Sequence, residues 1–296
     1  MKRHENYIDV GTLYLRAMPV SKLNSSTALK YGAGSMNDRL SEAVSKMSTL
    51  LSHHIIPLFL DSPSGRPQRC GSGFLVSAGS TSYLVSAAHV FDPLKDGHEP
   101  FFYIGPKTKR KLSGSARITR VPYGQDRQND HLDIGVLKLQ GPGLPPYPDV
   151  EKYPLPIRAL RPGALPREGK QYLLVGFPGS QTRLDPAKRE VTTKLYSYRN
   201  ISHPASKYPS IGVDPQSHVA IVFDRKRSVG ADGNTRIFPD PAEMSGSPVW
   251  LLYDGNGSND RTQTPVVAVA IEHRKDQHAI VATDIGLALA YINGAV

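Results

Sequence analysis

Three short segments of this 296-residue chain carry side chains that could work together chemically. They are Leu84-Val-Ser-Ala-Ala-His-Val90, Leu132-Asp-Ile-Gly-Val-Leu-Lys-Leu139 and Glu243-Met-Ser-Gly-Ser-Pro-Val-Trp250. Each puts one reactive group, His89, Asp133 or Ser245, at the edge of an apolar run that reads as a buried strand. A serine hydroxyl is a poor nucleophile near neutral pH and needs a base to take its proton during attack. An imidazole, with an ordinary pKa of about 6.5, can accept it. A carboxylate then holds the ring in the required tautomer and stabilises the imidazolium that forms. These are the minimum parts of a serine hydrolase, in the chain order His, Asp, Ser.

The elements that must position them are short and β-rich. Residues 55–60, 73–76, 83–86, 100–104 and 133–139 read as one set of strands, separated by Gly, Pro, Ser and Asp. A second set covers 171–177, 191–198, 218–224, 248–252 and 265–271. Between the sets lies Gly141-Pro-Gly-Leu-Pro-Pro-Tyr-Pro148, too proline-rich for a central strand and suited to a linker. Residues 1–34 are polar and read as a loosely attached arm. Ser35-Met-Asn-Asp38 then looks like a capping box, followed by Met36, Leu40, Val44, Met47 and Leu51 at helical spacing. The other helical stretch is short, Ile285 to Ile292. Many short strands with such turns predict an all-β barrel or sandwich.

The residue order excludes two other serine hydrolase plans, since α/β-hydrolases run Ser, Asp, His and subtilisin-type enzymes Asp, His, Ser. The chain resembles the chymotrypsin/trypsin-like serine peptidases in their bacterial, disulfide-free form. Ser-Ala-Ala-His89 is similar to the family's T/S-A-A-H segment, Asp133-Ile-Gly-Val-Leu-Lys-Leu to its D-I-A-L-L-x-L strand, and Met244-Ser-Gly-Ser-Pro248 to G-x-S-G-G/S-P. The resemblance covers about residues 53 to 293. It implies two packed six-stranded antiparallel β-barrels, with the N-terminal and C-terminal helices outside them. The expected division is an arm and amphipathic helix over 1–52, a first barrel with His89 and Asp133 over 53–150, and a second barrel with Ser245 and the C-terminal helix over 151–296.

The same resemblance implies a catalytic triad of His89, Asp133 and Ser245 that hydrolyses peptide bonds through an acyl-enzyme. The backbone N–H groups of Glu243 and Ser245 form its oxyanion hole. At Glu243 the family has glycine, whose backbone freedom a Cβ removes. A slow enzyme, or one completed by a substrate or an activating protein partner, is therefore among the expectations. So is a catalytically inactive domain that binds peptides. Met244 replaces the aspartate of zymogen-activated members, so activation by a newly cleaved N-terminus is not expected. Phe238-Pro-Asp-Pro-Ala242 and Val269-Ala-Ile-Glu-His273 are expected to wall the pocket for the side chain before the cleaved bond. Asp240, Ala270 and Glu272 belong to it, and the two carboxylates either favour Lys or Arg or are plain surface groups.

Some residues compete for these roles. Asp130 could orient the histidine, but Asp133 directly begins the apolar run. Ser247 is excluded as nucleophile by the motif's pattern. Cys70, the single cysteine, permits no intrachain disulfide and reads as a small packed residue. No metal-ligand spacing is present, and tandem His53-His54 on a strand would face opposite sides, so neither metal nor cofactor is expected. The net charge of +10 includes clusters at Lys107-Thr-Lys-Arg-Lys111 and Arg225-Lys-Arg227. Neither is interleaved with aromatics, so a nucleic-acid partner is not expected. Without a signal-peptide core or an apolar run of about 18 residues, the expectation is a cytoplasmic protein off the membrane, acting on protein or peptide substrates.

Overall fold

The computed structural model describes residues 51–121, 125–140, 154–163, 165–229, 235–253 and 264–295. The helix expected upstream of the first barrel lies outside these residues except for its last position, Leu51, which is helical and buried in the core. The proline-rich linker over 141–148 also lies outside them.

Strand formation follows the apolar and β-branched runs. In the first half these are β1 (Ile55–Asp61), β2 (Pro67–Ala78), β3 (Thr81–Ala87), β4 (Phe101–Ile104), β5 (Thr108–Lys111), β6 (Gly114–Ile118), β7 (Ile134–Leu139) and the two-residue β8 (Leu155–Pro156). They form one curled antiparallel sheet in the order β5-β4-β1-β2-β3-β7-β6, with β8 added in parallel to β2. Leu155 pairs with Val76, and Leu160 bridges Val266, so the chain crosses from the first sheet to the second over these few residues. β5 and the middle of β6 are exposed, which is why their charged sequences carry no apolar alternation.

The second half contains β9 (Gln171–Gly176), β10 (Thr182–Asp185), β11 (Glu190–Thr193), β12 (Tyr196–Ile201), β13 (His218–Val222), β14 (Ser228–Val229), β15 (Thr235–Arg236), β16 (Pro248–Tyr253), β17 (Val266–Arg274) and β18 (Ala279–Asp284). Six of these make the sheet β12-β9-β16-β17-β18-β13, and a bridge between Ser202 and Ile221 brings its two ends together into a barrel. β10–β11 and β14–β15 are separate hairpins. The run expected as one strand over 191–198 is divided between β11 and β12.

The two sheets share a core. Phe74, Val76, Val85 and Val136 of the first pack in one buried cluster with Leu173, Val175, Trp250 and Val269 of the second. Helix α1 (Tyr208–Ile211) is a single turn. Helix α2 (Gly286–Asn293) follows β18; the N–H of its first residue, Gly286, donates to Asp284 Oδ1 at 2.9 Å, and Ala288 and Ile292 enter the shared core. The fold is all-β, two antiparallel barrels packed side by side, with His89 in the helical turn that follows β3 and Asp133 and Ser245 on loops that lead into β7 and β16.

Candidate active site

β3 delivers His89. Its apolar run ends at Ala87, and the chain turns into a 3-10 helix over Ala88–Asp96. Asp133 immediately precedes β7, the partner of β3, with Ala87 opposite Ile134. Antiparallel pairing thus brings two residues 44 apart in sequence side by side. His89 Nδ1 lies 2.6 Å from Asp133 Oδ2, and the His89 backbone N–H donates to Asp133 Oδ1 at 2.9 Å. With Oδ2 ionised, Nδ1 carries the proton and Nε2 is left as the acceptor. Asp133 is 8% exposed, so little water competes for its oxygens.

Asp133 adopts φ +43°, a left-handed conformation that Asp tolerates better than most residues. Its backbone is fixed at both ends: the Ala88 N–H donates to the Asp133 carbonyl at 2.9 Å, and its own N–H donates to Asp130 Oδ1 at 3.0 Å. Asp130 does not reach His89. It is buried, accepts also from Thr119 Oγ1 and the Leu132 N–H, and pairs with Arg127 at 2.7 Å. Arg127 in turn grips both oxygens of Asp92, in the helix that carries His89. Burial alone would raise the Asp92 carboxyl, but hydrogen bonds from Arg127 and Lys95 hold it below the usual range. From the second sheet, His218 Nε2 lies 2.7 Å from the His131 carbonyl, and the Thr283 hydroxyl donates to the Leu132 carbonyl at 2.6 Å. The Asp133 turn is therefore held by both barrels.

Ser245 stands in the loop before β16. Ser72 of β2 donates its N–H to the Ser245 carbonyl at 2.8 Å, while the Ser72 carbonyl accepts the Ser86 hydroxyl of β3 at 2.7 Å. A Cβ on Gly71 would lie 2.6 Å from Val90 Cγ2 and 3.1 Å from the Ser245 carbonyl oxygen, so glycine leaves room for both. These contacts seat Ser245 against the strand that leads to His89. Gly246 has φ +87°, and a Cβ there would lie 2.0 Å from the Ser72 carbonyl oxygen, so glycine is required beside Ser245. The Ser245 hydroxyl donates to the Ile271 carbonyl at 3.0 Å, and no hydrogen bond joins it to His89.

Glu243 has φ +65°, the left-handed conformation usually taken by glycine. The Gly179 N–H donates to the Ala242 carbonyl at 3.0 Å. Across a trans peptide the Glu243 N–H must point the opposite way, away from the 176–179 turn. Among the described residues, the N–H groups of Glu243 and Ser245 donate to nothing. The Glu243 carbonyl accepts from Arg69 Nη2 at 3.1 Å and from the Ser72 hydroxyl at 3.2 Å. The Glu243 residue is exposed, yet its carboxylate folds over Gly179, with Oε2 1.5 Å from where a Cβ on Gly179 would stand. Burial against that turn raises its carboxyl, opposed by the charge of Arg69.

Of the residues expected in the specificity pocket, Asp240 pairs with Arg225 at 3.1 Å and Glu272 with Arg274 at 2.8 Å. Each carboxylate already faces an arginine, so a basic substrate side chain would have to share or displace one. Ala270 is buried, with its N–H on the Ser247 carbonyl and its carbonyl on the Gly246 N–H. Phe238 anchors the 238–242 loop by packing edge-on against Tyr198 and Phe223. The basic cluster at 107–111 is likewise met by acids, Lys107 by Glu190, Lys109 by Asp61 and Lys111 by Glu99. Burial pushes the Cys70 thiol up to about 12, so it stays protonated and unreactive at neutral pH.

Arg69, Arg127, His218 and Thr283 were not marked by the sequence. A buried arginine or histidine leaves no trace in hydropathy, because charged residues are ordinarily exposed.

Comparison with known families gives the class of protein to which this fold belongs. The trypsin-like peptidase domain matches residues 71–257, more than half of the chain, and the chain belongs to that family. No protein of curated function matches it in sequence. Among solved structures, neuropsin, a serine protease expressed in the limbic system of mouse brain, superposes with a TM-score of 0.49 at 14% identity, over 81% of this chain and 93% of that one.

Proposed function

We propose that this chain is a serine endopeptidase with His89 as general base and acid, Asp133 as its orienting carboxylate and Ser245 as nucleophile. The observation that carries this reading is the doubly bonded His89–Asp133 pair, with Nδ1 and the backbone N–H of one residue on the two carboxylate oxygens of the other.

The chemistry balances on these groups. Ser245 Oγ bonds to the substrate carbonyl carbon as its proton passes to His89 Nε2. The carbonyl oxygen takes the negative charge and is met by the free N–H groups of Glu243 and Ser245. The C–N bond then breaks as His89 returns the proton to the departing amine, leaving an ester on Ser245. Water, deprotonated by His89, cleaves that ester and restores the serine.

The Ser245 hydroxyl, bonded to the Ile271 carbonyl, supports a substrate-assisted start. The ladder of β17 with β16 ends at Val269, and after a bulge at Ile271 residues 272–274 pair only with β18 and leave one edge open. A peptide adding to that edge would donate its own N–H to the Ile271 carbonyl and release the hydroxyl toward His89. The single cysteine fits a reducing compartment, which extends the proposal to a cytoplasmic setting. Among the described residues, no helix is long and apolar enough to cross a membrane.

The test is labelling of the purified protein by a fluorophosphonate probe, read by intact mass, with Ser245→Ala and His89→Ala as controls. One adduct, lost in both variants, supports the reading. A folded protein that takes no label points instead to a domain that only binds peptides.

A further inference from the structure

Arg69 is the least expected residue near the site. It is 8% exposed, and its neighbourhood offers it no carboxylate partner at hydrogen-bond distance among the described residues. Its two Nη groups donate chiefly to backbone carbonyls, Nη2 also reaching the Ser72 hydroxyl at 3.5 Å, while Nε has no partner among the described residues. Nη1 donates to Leu58 and Gly71, and Nη2 to Phe177 at 2.7 Å and Glu243 at 3.1 Å. Leu58 and Gly71 belong to the first sheet, Phe177 and Glu243 to loops of the second. Such an arginine does more than complete its own strand.

A β-bulge explains how it gets there. In the β1–β2 ladder Leu58 pairs with Gly71 but Phe59 pairs with Arg69, leaving Cys70 as the extra residue. A bulge re-aims the side chains next to it. Here Arg69 is turned inward beside the Phe59 ring, 5.3 Å from its centroid.

The consequence falls on Glu243. Its N–H can meet a developing oxyanion only if residue 243 keeps a positive φ, which a side chain disfavours. Two contacts oppose the flip. The Gly179 N–H holds the peptide before Glu243 by the Ala242 carbonyl, and Arg69 with Ser72 holds the peptide after it by the Glu243 carbonyl. A guanidinium is the strongest donor of the three, since hydrogen bonds from a charged group are roughly twice as strong as neutral ones.

We infer that Arg69 is a positioning residue of the oxyanion loop, holding the Glu243 peptides in the orientation that glycine would adopt unaided. This rests on the reading of Ser245 as nucleophile. Arg69 contacts no reacting atom and acts through the Glu243 backbone.

The experiment compares Arg69→Met and Arg69→Lys in two backgrounds, the native chain and Glu243→Gly. Two readouts are taken: the second-order rate of fluorophosphonate labelling, and the orientation of the Ala242–Glu243 peptide in crystal structures. In the native background Arg69→Met should slow labelling by about tenfold or more, because a displaced oxyanion donor costs on the order of 10² when fully lost. In the Glu243→Gly background the same change should cost less than about threefold, while the melting temperature falls equally in both, since contacting residues couple but a purely structural loss adds. Equal slowing in both backgrounds, or none in either, overturns the inference. Should Arg69→Met not fold, Arg69→Lys keeps the charge, loses the planar fork and supports the same comparison. If the native protein takes no label at all, the peptidase reading fails, and the crystal structures still decide this one. An Ala242 carbonyl turned away from Gly179 in Arg69→Lys, and restored by Glu243→Gly, supports the clamp; an unmoved peptide refutes it.

Discussion

Replacing Glu243 by glycine tests how much strain this loop carries. A left-handed backbone costs a non-glycine residue about 1–2 kcal/mol. Gly returns that, but its freer unfolded chain takes back about 0.5–1 kcal/mol. The net effect on folding is a gain of about 0.5–1 kcal/mol, a rise of roughly 2 °C in melting temperature for a chain of this size. The rate responds differently. Against the strain stand the Gly179 bond to the Ala242 carbonyl, a neutral pair contributing about 0.5–1.5 kcal/mol, and the Arg69 bond to the Glu243 carbonyl, a charged donor contributing about 1.5–3 kcal/mol. Their sum exceeds the strain by about 1 kcal/mol or more, so the inward orientation already dominates by about five to one. Glycine then has little population left to recruit. Fluorophosphonate labelling of Glu243→Gly should change by less than about threefold, with melting followed by circular dichroism in the same buffer. A gain above tenfold, about 1.4 kcal/mol, would mean that the native loop is mostly flipped and that the Gly179 and Arg69 bonds do not hold it.

Asp133→Asn should cut labelling by on the order of 10³–10⁴, since an amide favours the wrong imidazole tautomer, while urea melting changes little. Asp130→Asn should behave in the opposite sense, losing about 2 kcal/mol or more in urea melts by weakening a buried partner of Arg127. Thr283→Val removes the hydroxyl on the Leu132 carbonyl and should cost about 1 kcal/mol of stability by the same assay. Asp92 titrates in the folded protein below its ordinary 3.8. Its stabilisation is therefore complete above that value and lost as pH falls through the folded one, so melting between pH 5 and 3 should decline more steeply in the native chain than in Asp92→Asn.

The sequence made the strands of the core legible because their apolar runs are what buries them: Leu84–Val85 and Val136–Leu137 face one another in the sheet as their patterns imply. It marked His89 and Asp133 through the same runs, since His89 stands two residues beyond the end of β3 and Asp133 one residue before the start of β7. β5 and the start of β2 were opaque for the converse reason. Thr108–Lys111 is exposed along its whole length, and Pro67–Ser72 holds its place by ladder hydrogen bonds that no side chain advertises. The supporting groups were hidden more deeply. Arg69 and His218 take their roles from partners more than eighty residues away, a kind of contact that local pattern cannot encode.

Four described residues other than glycine have positive φ: Asp133, Arg189, Glu243 and His278. Arg189 and His278 lie at the tips of the β10–β11 and β17–β18 hairpins, where the tight reversal itself demands a left-handed residue. No hairpin makes that demand at Asp133 or Glu243, which precede β7 and β16 on open loops. There the conformation is imposed by side chains: Asp130, fixed by Arg127, accepts the Asp133 N–H, and Arg69 donates to the Glu243 carbonyl. Strain that local geometry does not require persists only where the surroundings over-determine it, and such places cluster at functional sites. In each case the strained backbone does something an unstrained one would not. At Asp133 it turns both carboxylate oxygens onto His89, and at Glu243 it turns an N–H away from its own loop. The Arg127 and Arg69 networks thus hold the two residues that the proposed chemistry can least allow to relax.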